Sequence, residues 1–295
     1  MGRRMKYYLV VNLEKANAAA CTHAAVEELL AAGQQVLLER HTAAVLGEQH
    51  RCACLSHIEA LQECDLVIAV GGDGTMLHAA LDSLPFQKPV AGINSGRLGY
   101  LAQIDWPLGD RLQNLIDGAY TLEQRSLLLA QHRSRTGETV CRHALNDVVL
   151  ARTTAGSMID IEVEREGRHF ASYRADGLIF ATPTGSTAYS LSAGGAIVEP
   201  SVRCLLLTPI CPHSLDDRCL ILDGSSRLTV RLVSCNTRPD AALAADGGHF
   251  ASMQEGDSLM LELAPQTVPF VRLGGTDFYQ TMNQKFRQDC TQKGE

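Results

Sequence analysis

The sequence predicts two domains and a closing helix. Residues 1–121 read as an α/β domain built on a parallel sheet, 122–275 as a β-rich domain, and 276–295 as a helix that packs back on the first domain. Up to Ala119, short apolar runs alternate with Ala-, Leu- and Glu-rich stretches. That is the rhythm of strands joined by crossover helices in a parallel sheet. After Tyr120 few helical patterns intervene, and several stretches alternate apolar and polar residues one by one, the period of half-buried strands. Near the end, Phe278, Met282 and Phe286 recur at helical spacing.

In order, residues 7–11 read as a first strand and 15–32 as a helix closed by Gly33. Residues 36–38 form a second strand and 55–63 a short helix. Residues 66–70 are an unbroken apolar run, as in a buried parallel strand. Gly71-Gly72-Asp73-Gly74-Thr75 follows, with Thr75 placed to cap a helix through Leu77, Ala80 and Leu81. Residues 89–93 are another buried strand, running into a second glycine loop, Asn94-Ser95-Gly96-Arg97-Leu98-Gly99-Tyr100. Residues 111–119 read as a helix. The result is a Rossmann-like sheet with both glycine loops at strand C-terminal ends, where α/β proteins bind ligands. In the second half, 127–129, 145–150, 225–233 and 258–263 read as strands, and 159–164 alternates strictly before a Glu166-Gly167 hairpin turn.

Strand, glycine turn and helix N-terminus together suit phosphate, because small residues let backbone N–H groups approach its oxygens and the helix end favours negative charge. Gly71, Gly72, Gly74 and Thr75 are therefore candidate phosphate-binding residues, with Arg97 a candidate cation beside them. Asp73 would repel phosphate unless Mg²⁺ lies between them or the carboxylate takes up a proton. Either role points to phosphoryl transfer. The turn lacks the lysine of a P-loop and the spacing of the dinucleotide-binding glycine turn. A second constellation runs from Asp176-Gly177 through the strand 178–181 into Thr182-Pro183-Thr184-Gly185-Ser186-Thr187-Ala188-Tyr189-Ser190-Leu191-Ser192-Ala193-Gly194-Gly195. Its hydroxyls suit ribose and phosphate oxygens, and Tyr189 suits a flat ring; the same composition also makes connecting loops.

Hydrophobic content of 45% and charged content of 20% are globular values. A net charge of −7 argues against a nucleic-acid partner, and the only basic run is Arg3-Arg4-Met5-Lys6. The ten cysteines form no Cys-x-x-Cys pair, so they read as reduced thiols of a cytoplasmic protein. No apolar run reaches membrane-spanning length, the run at 7–11 is too short for a signal peptide, and Lys6 stands where a myristoylation site needs Ser or Thr.

The first motif resembles those of NAD kinases, diacylglycerol-type lipid kinases and, loosely, phosphofructokinases. The full set resembles bacterial-type NAD kinases: Gly71 to Thr75, Asn94 to Leu101, Asn146-Asp147, Asp176-Gly177, Thr182 to Gly195, Pro212-His213-Ser214-Leu215 and Asp246-Gly247, in that order. The resemblance implies a two-domain NAD kinase-like fold and Mg²⁺-dependent transfer of the ATP γ-phosphate to the 2′-hydroxyl of the adenosine ribose of NAD⁺. It implies Asp73 as the catalytic residue beside that hydroxyl. Gly74 and Thr75 would seat phosphates, and Leu98 and Tyr100 would flank adenine. Asn146 and Asp147 would contact a ribose, with Asp147 standing where the family usually has Glu. Asp176 would contact the nicotinamide end. Thr184, Thr187, Ala188, Tyr189 and Ser192 would line the adenosine and nicotinamide pockets, and Asp246 would lie near the dinucleotide. In the family, a basic residue at the place of Arg174 accompanies preference for NAD⁺ over NADH. A homo-oligomer, dimer or tetramer, assembled through the C-terminal domains is also implied. A lipid kinase of the same superfamily and a non-catalytic dinucleotide sensor are the alternatives.

Overall fold

The computed structural model describes residues 4–96, 99–154, 158–233, 240–274 and 277–292. The chain divides into two units, Met1–Gln124 with Val268–Glu295, and Arg125–Thr267. Both crossings fall inside strands rather than in loops, at residues 124/125 and 267/268 instead of the expected 121 and 275.

The first unit contains β1 (Lys6–Val11), α1 (Ala18–Ala31), β2 (Gln35–Glu39), α2 (Arg40–Leu46), β3 (Ala53–Leu55), α3 (His57–Glu63), β4 (Leu66–Gly71), α4 (Asp73–Ser83), β5 (Val90–Asn94), β6 (Ile104–Asp105) and α5 (Gly109–Ile116). Strands β5, β4, β1, β2 and β3 lie side by side in that order, every pair parallel. Strand β4 is buried along its whole length, which is why it reads as an uninterrupted apolar run. Cys21, Val26 and Leu29 of α1 pack with Leu112 and Leu115 of α5 and with Leu9, Ile68 and Ile93 of the sheet. Two local expectations are corrected. Leu55 ends β3, and α3 starts after it because Ser56 and Glu59 close a capping box. Thr75 does not cap α4: the helix begins at Asp73 with Gly72 as its cap residue, so Thr75 lies inside the first turn.

Strand β7 (Tyr120–Arg133) carries the chain into the second unit. There follow β8 (Thr139–Ala144), β9 (Asp147–Arg152), β10 (Ile159–Arg165), β11 (Arg168–Ala175), β12 (Gly177–Ala181), the four-residue helix α6 (Tyr189–Ser192), β13 (Cys204–Ile210), β14 (Leu220–Asp223), β15 (Leu228–Val233), β16 (Ala241–Ala245), β17 (Gly248–Met253) and β18 (Ser258–Leu273). One antiparallel layer runs β11-β10-β15-β18, the other β14-β13-β12-β9-β16-β17. Ile161, Val163, Val230 and Leu261 of the first layer pack with Leu150, Phe180, Leu207 and Leu243 of the second. On β12, Leu178 and Phe180 enter that core, while Ile179 and Ala181 face the opposite side with Val198 and Leu206. The segment after β12 covers this second face.

The end of β18 returns to the first unit, where Phe270 pairs with Val90 and where Val271 and Leu273 enter the core. Helix α7 (Phe278–Gln292) belongs to the same unit. The hairpin β16–β17 was not anticipated, because Ala241 to Ala245 has no apolar–polar contrast to betray a strand. Among the described residues no helix is long and apolar enough to cross a membrane. The described cysteines are free, and burial pushes the thiols of Cys21 and Cys64 up to about 11, leaving them protonated hydrophobes.

Candidate active site

In the first unit, β4 and β5 are parallel neighbours, so their two glycine loops emerge side by side. The Ser95 amide donates to the Gly71 carbonyl at 3.0 Å, joining the loops at their roots. Gly71 has no room for a side chain: a Cβ there would lie 2.2 Å from Thr75 Oγ1. Gly72 and Gly74 are different, since a Cβ on either would meet nothing within 4 Å. Protein packing therefore demands only the first of the three glycines. The space over the other two lies at the N-terminus of α4, where unpaired amides and the helix dipole favour an anion.

Asp73 is the first residue of α4 and is half-buried. Its Oδ2 accepts the Tyr100 amide at 2.9 Å and its Oδ1 the Leu101 amide at 3.1 Å. The second glycine loop thus grips the carboxylate presented by the first. Gly99 makes the approach possible, because a Cβ at that position would stand 2.1 Å from Asp73 Oδ1. On the far side of the loop, Lys285 of α7 places its ammonium 3.8 Å from the centre of the Tyr100 ring. A pocket of about 180 Å³ lies between this loop and α7, lined by Tyr100, Gln103, Arg111, Thr281 and Gln284 among others. Arg97 and Leu98 lie outside the described residues.

The remaining predicted residues lie in the second unit, and one hydrogen-bonded network joins Asp246, Asn146 and Asp147 to the segment that begins at Thr182. Asp246 sits in a left-handed turn, φ 46°, between β16 and β17. Its carboxylate accepts the amides of Leu145, Asn146 and Asp147 at 2.7–3.0 Å. The Asn146 carbonyl accepts the Thr182 amide at 2.9 Å, and Thr182 Oγ1 donates to the Leu145 carbonyl at 2.6 Å. Thr182 Oγ1 also accepts the Gly185 amide, which fixes the tight turn Thr184–Thr187. Tyr189 and Ser192 are exposed at the two ends of α6, while Thr187 and Ala188 are half-buried. Asp147 is buried, and its carboxyl is pushed up to about 7, first by desolvation and then by the negative charge of Asp246, with the Tyr189 amide pulling the other way. Asp176 is held by Arg152, whose Nε and Nη2 reach the two carboxylate oxygens at 2.6 and 3.2 Å. Arg174 is exposed, 4.0 Å from Asp160. Among the described residues no group of three or more His, Cys, Asp or Glu could hold a metal ion.

The ATP-NAD kinase N-terminal domain family matches residues 8–120, and the ATP-NAD kinase C-terminal domain family matches 145–273. The NAD kinase of Symbiobacterium thermophilum is 39% identical over 283 residues, covering 95% of this chain and 98% of that protein.

The chain belongs to the ATP-NAD kinase family.

Among solved structures, yeast NADH kinase complexed with NADH aligns with a TM-score of 0.87 at 25% identity, over 96% of this chain and 87% of that one. An NAD kinase from Archaeoglobus fulgidus in complex with ATP aligns with a TM-score of 0.67 at 24% identity, over 92% and 94%, and shares the fold. The expected architecture, a parallel α/β domain followed by a β-rich one, is that of the NAD kinase family, and the lipid-kinase alternative is not favoured. Two polar residues escaped the reading of the sequence, Arg125 and Arg152, and Thr182, which stands in the hydroxyl-rich run, was given no structural part there. Each acts across strands on a residue distant in the chain, and no local spacing marks such a pairing.

Proposed function

We propose that the chain transfers the γ-phosphoryl group of ATP to the 2′-hydroxyl of the adenosine ribose of NAD⁺, with Asp73 as the residue that receives the hydroxyl proton. The observation that carries this is the grip on Asp73. Two backbone amides fix its carboxylate at the mouth of a helix N-terminus, yet a carboxylate has about four lone-pair directions, so accepting positions remain for a substrate hydroxyl. In the step, the 2′-oxygen bonds to the γ-phosphorus and the bond from that phosphorus to the β–γ bridging oxygen breaks. ADP leaves, and the hydroxyl proton passes to Asp73. Most of the acceleration then comes from positioning and from charge stabilisation.

Gly72, Gly74 and Thr75 present the helix end to phosphate. Asn146, Asp147, Asp176, Thr184, Thr187, Ala188, Tyr189 and Ser192 receive the dinucleotide, with Asp246 bracing the Asn146 segment. The donor set suits a Mg²⁺ ion carried by the ATP phosphates, since Asp73 stands at the helix end and among the described residues no cluster of three or more ligating side chains forms a cage. Bound there, the ion would neutralise phosphate charge. We place the protein in the cytoplasm as a homo-oligomer without a nucleic-acid or membrane partner, in keeping with its net charge of −7.

Purified protein supplied with NAD⁺, ATP and Mg²⁺ should form NADP⁺ and ADP in equal amounts. Radiolabel passing from ATP into extracted lipid, with none in NADP⁺, would overturn the assignment.

A further inference from the structure

Arg125 carries a full positive charge into the interior of the second unit. It is 4% exposed, in a stretch of β7 whose neighbours Leu127, Leu128 and Ala130 are fully buried. A buried guanidinium is costly to desolvate unless its hydrogen bonds are made within the protein. Arg125 Nη1 donates to Thr184 Oγ1 at 3.2 Å, in a buried hydrogen bond spanning 59 residues of chain.

That bond has a chemical consequence at Thr184. A threonine hydroxyl has one hydrogen to donate and two lone pairs. The Thr184 backbone is already fixed, because its carbonyl accepts Thr187 Oγ1 and the following amide is held by Thr182. The side-chain torsion is the freedom left, and the guanidinium removes it by occupying a lone pair. With a cationic donor on that lone pair, the hydroxyl hydrogen must point away from Arg125. Among the described residues no acceptor receives it.

We propose that Arg125 is a positioning residue for dinucleotide recognition: it orients Thr184 so that the hydroxyl serves as a hydrogen-bond donor to an acceptor nitrogen or oxygen on a base or carboxamide of the bound nucleotide. This rests on the dinucleotide reading of the second unit. It predicts that the site discriminates against ligands presenting a donor at that point, as a fixed donor does.

The test is a double-mutant cycle in the full chain: wild type, Arg125→Gln, Thr184→Val and the double variant, read as the Kd for NAD⁺ without ATP and as kcat and KM with it. Arg125→Gln should weaken NAD⁺ binding about tenfold, the scale of one hydrogen bond to a charged group. The loss should fall in Kd and KM rather than in kcat, and Arg125→Lys should recover part of it. Thr184→Val should weaken binding similarly, and the double variant should be no weaker than Thr184→Val alone. Additive losses, or a fall in kcat with Kd unchanged, would refute the proposal. Should Arg125→Gln prove unfolded by circular dichroism, Arg125→Lys combined with Thr184→Val completes the same cycle. A folded wild-type protein that binds no NAD⁺ sinks the dinucleotide reading itself; binding with additive losses sinks only the role of Arg125.

Discussion

Replacing Gly99 by alanine acts on the proposed proton acceptor, Asp73, without altering it. The added Cβ would stand 2.1 Å from Asp73 Oδ1. An ordinary non-bonded contact lies near ~3.5 Å, so the carboxylate must withdraw by about 1.4 Å. It then gives up the Leu101 amide, now at 3.1 Å, and leaves the line of attack. A misplacement of about 1 Å at a reacting group costs on the order of 10²-fold in rate, and we expect kcat to fall by about that factor. Gly99 has no left-handed φ that alanine would strain, and the half-buried Asp73 side chain can turn aside, so the fold should survive. The KM for NAD⁺ should change little, because the other unit supplies most of the proposed dinucleotide contacts. NADP⁺ formation at saturating substrates measures kcat, and thermal melting checks the fold. A folded Gly99→Ala protein with near-normal kcat would show that the grip on Asp73 is irrelevant to the chemistry.

Asp73→Asn keeps shape but cannot take a proton at neutral pH, so kcat should drop about 10²–10⁴-fold with KM nearly unchanged; normal turnover would misassign the residue. Gly72→Ala adds a methyl into open space, so stability should stay within about 0.5 kcal/mol while the KM for ATP rises; an unchanged KM would place the phosphates elsewhere. Asp147 bears on stability. Its folded carboxyl titrates at about 7 against an ordinary 3.8, so between these values the folded state holds the extra proton and stability falls as pH rises. Asp147→Asn, whose amide oxygen can still accept the Tyr189 amide, should melt on the order of 2–4 °C above wild type at about pH 8 and coincide with it near pH 4; parallel melting curves across that range would contradict the sign. Finally, NADH should be a poor substrate, and Arg174→Ala should raise its kcat/KM relative to NAD⁺. Equal values for both nucleotides in the wild type would remove the role given to Arg174.

What could be read from the residues depended on how local the cause was. The run Leu66 to Val70 announces a buried parallel strand because both faces of it are covered, and the strict alternation of Ile159 to Glu164 announces a half-buried one. The start of α4 was misplaced because a capping hydroxyl is the stronger sequence signal, whereas Gly72 caps without one. The capping box at Ser56 and Glu59 is legible in the spacing and marks the start of α3. The motif residues Asp73 and Thr182 to Gly195 stood out by composition. Their bracing did not: the amides of Tyr100 and Leu101, the carboxylate of Asp246 under Asn146 and the arginines at 125 and 152 become partners only once strands are paired.

Strands β7 and β18 each begin in one unit and end in the other, and this bears on synthesis. The chain leaves the ribosome from its N-terminus, and in most two-domain proteins the first domain can fold while the rest is still being made. Here Val271 and Leu273, among the last core residues to emerge, complete the interior that Leu9, Ile68 and Ile93 began. The second unit is contiguous from Arg125 to Thr267 and has its full core before those residues appear. The core of the first unit is therefore completed only after the whole of the second unit has been synthesised. A message cut after Thr267 leaves the later unit whole and the earlier one, with Asp73, missing part of its core.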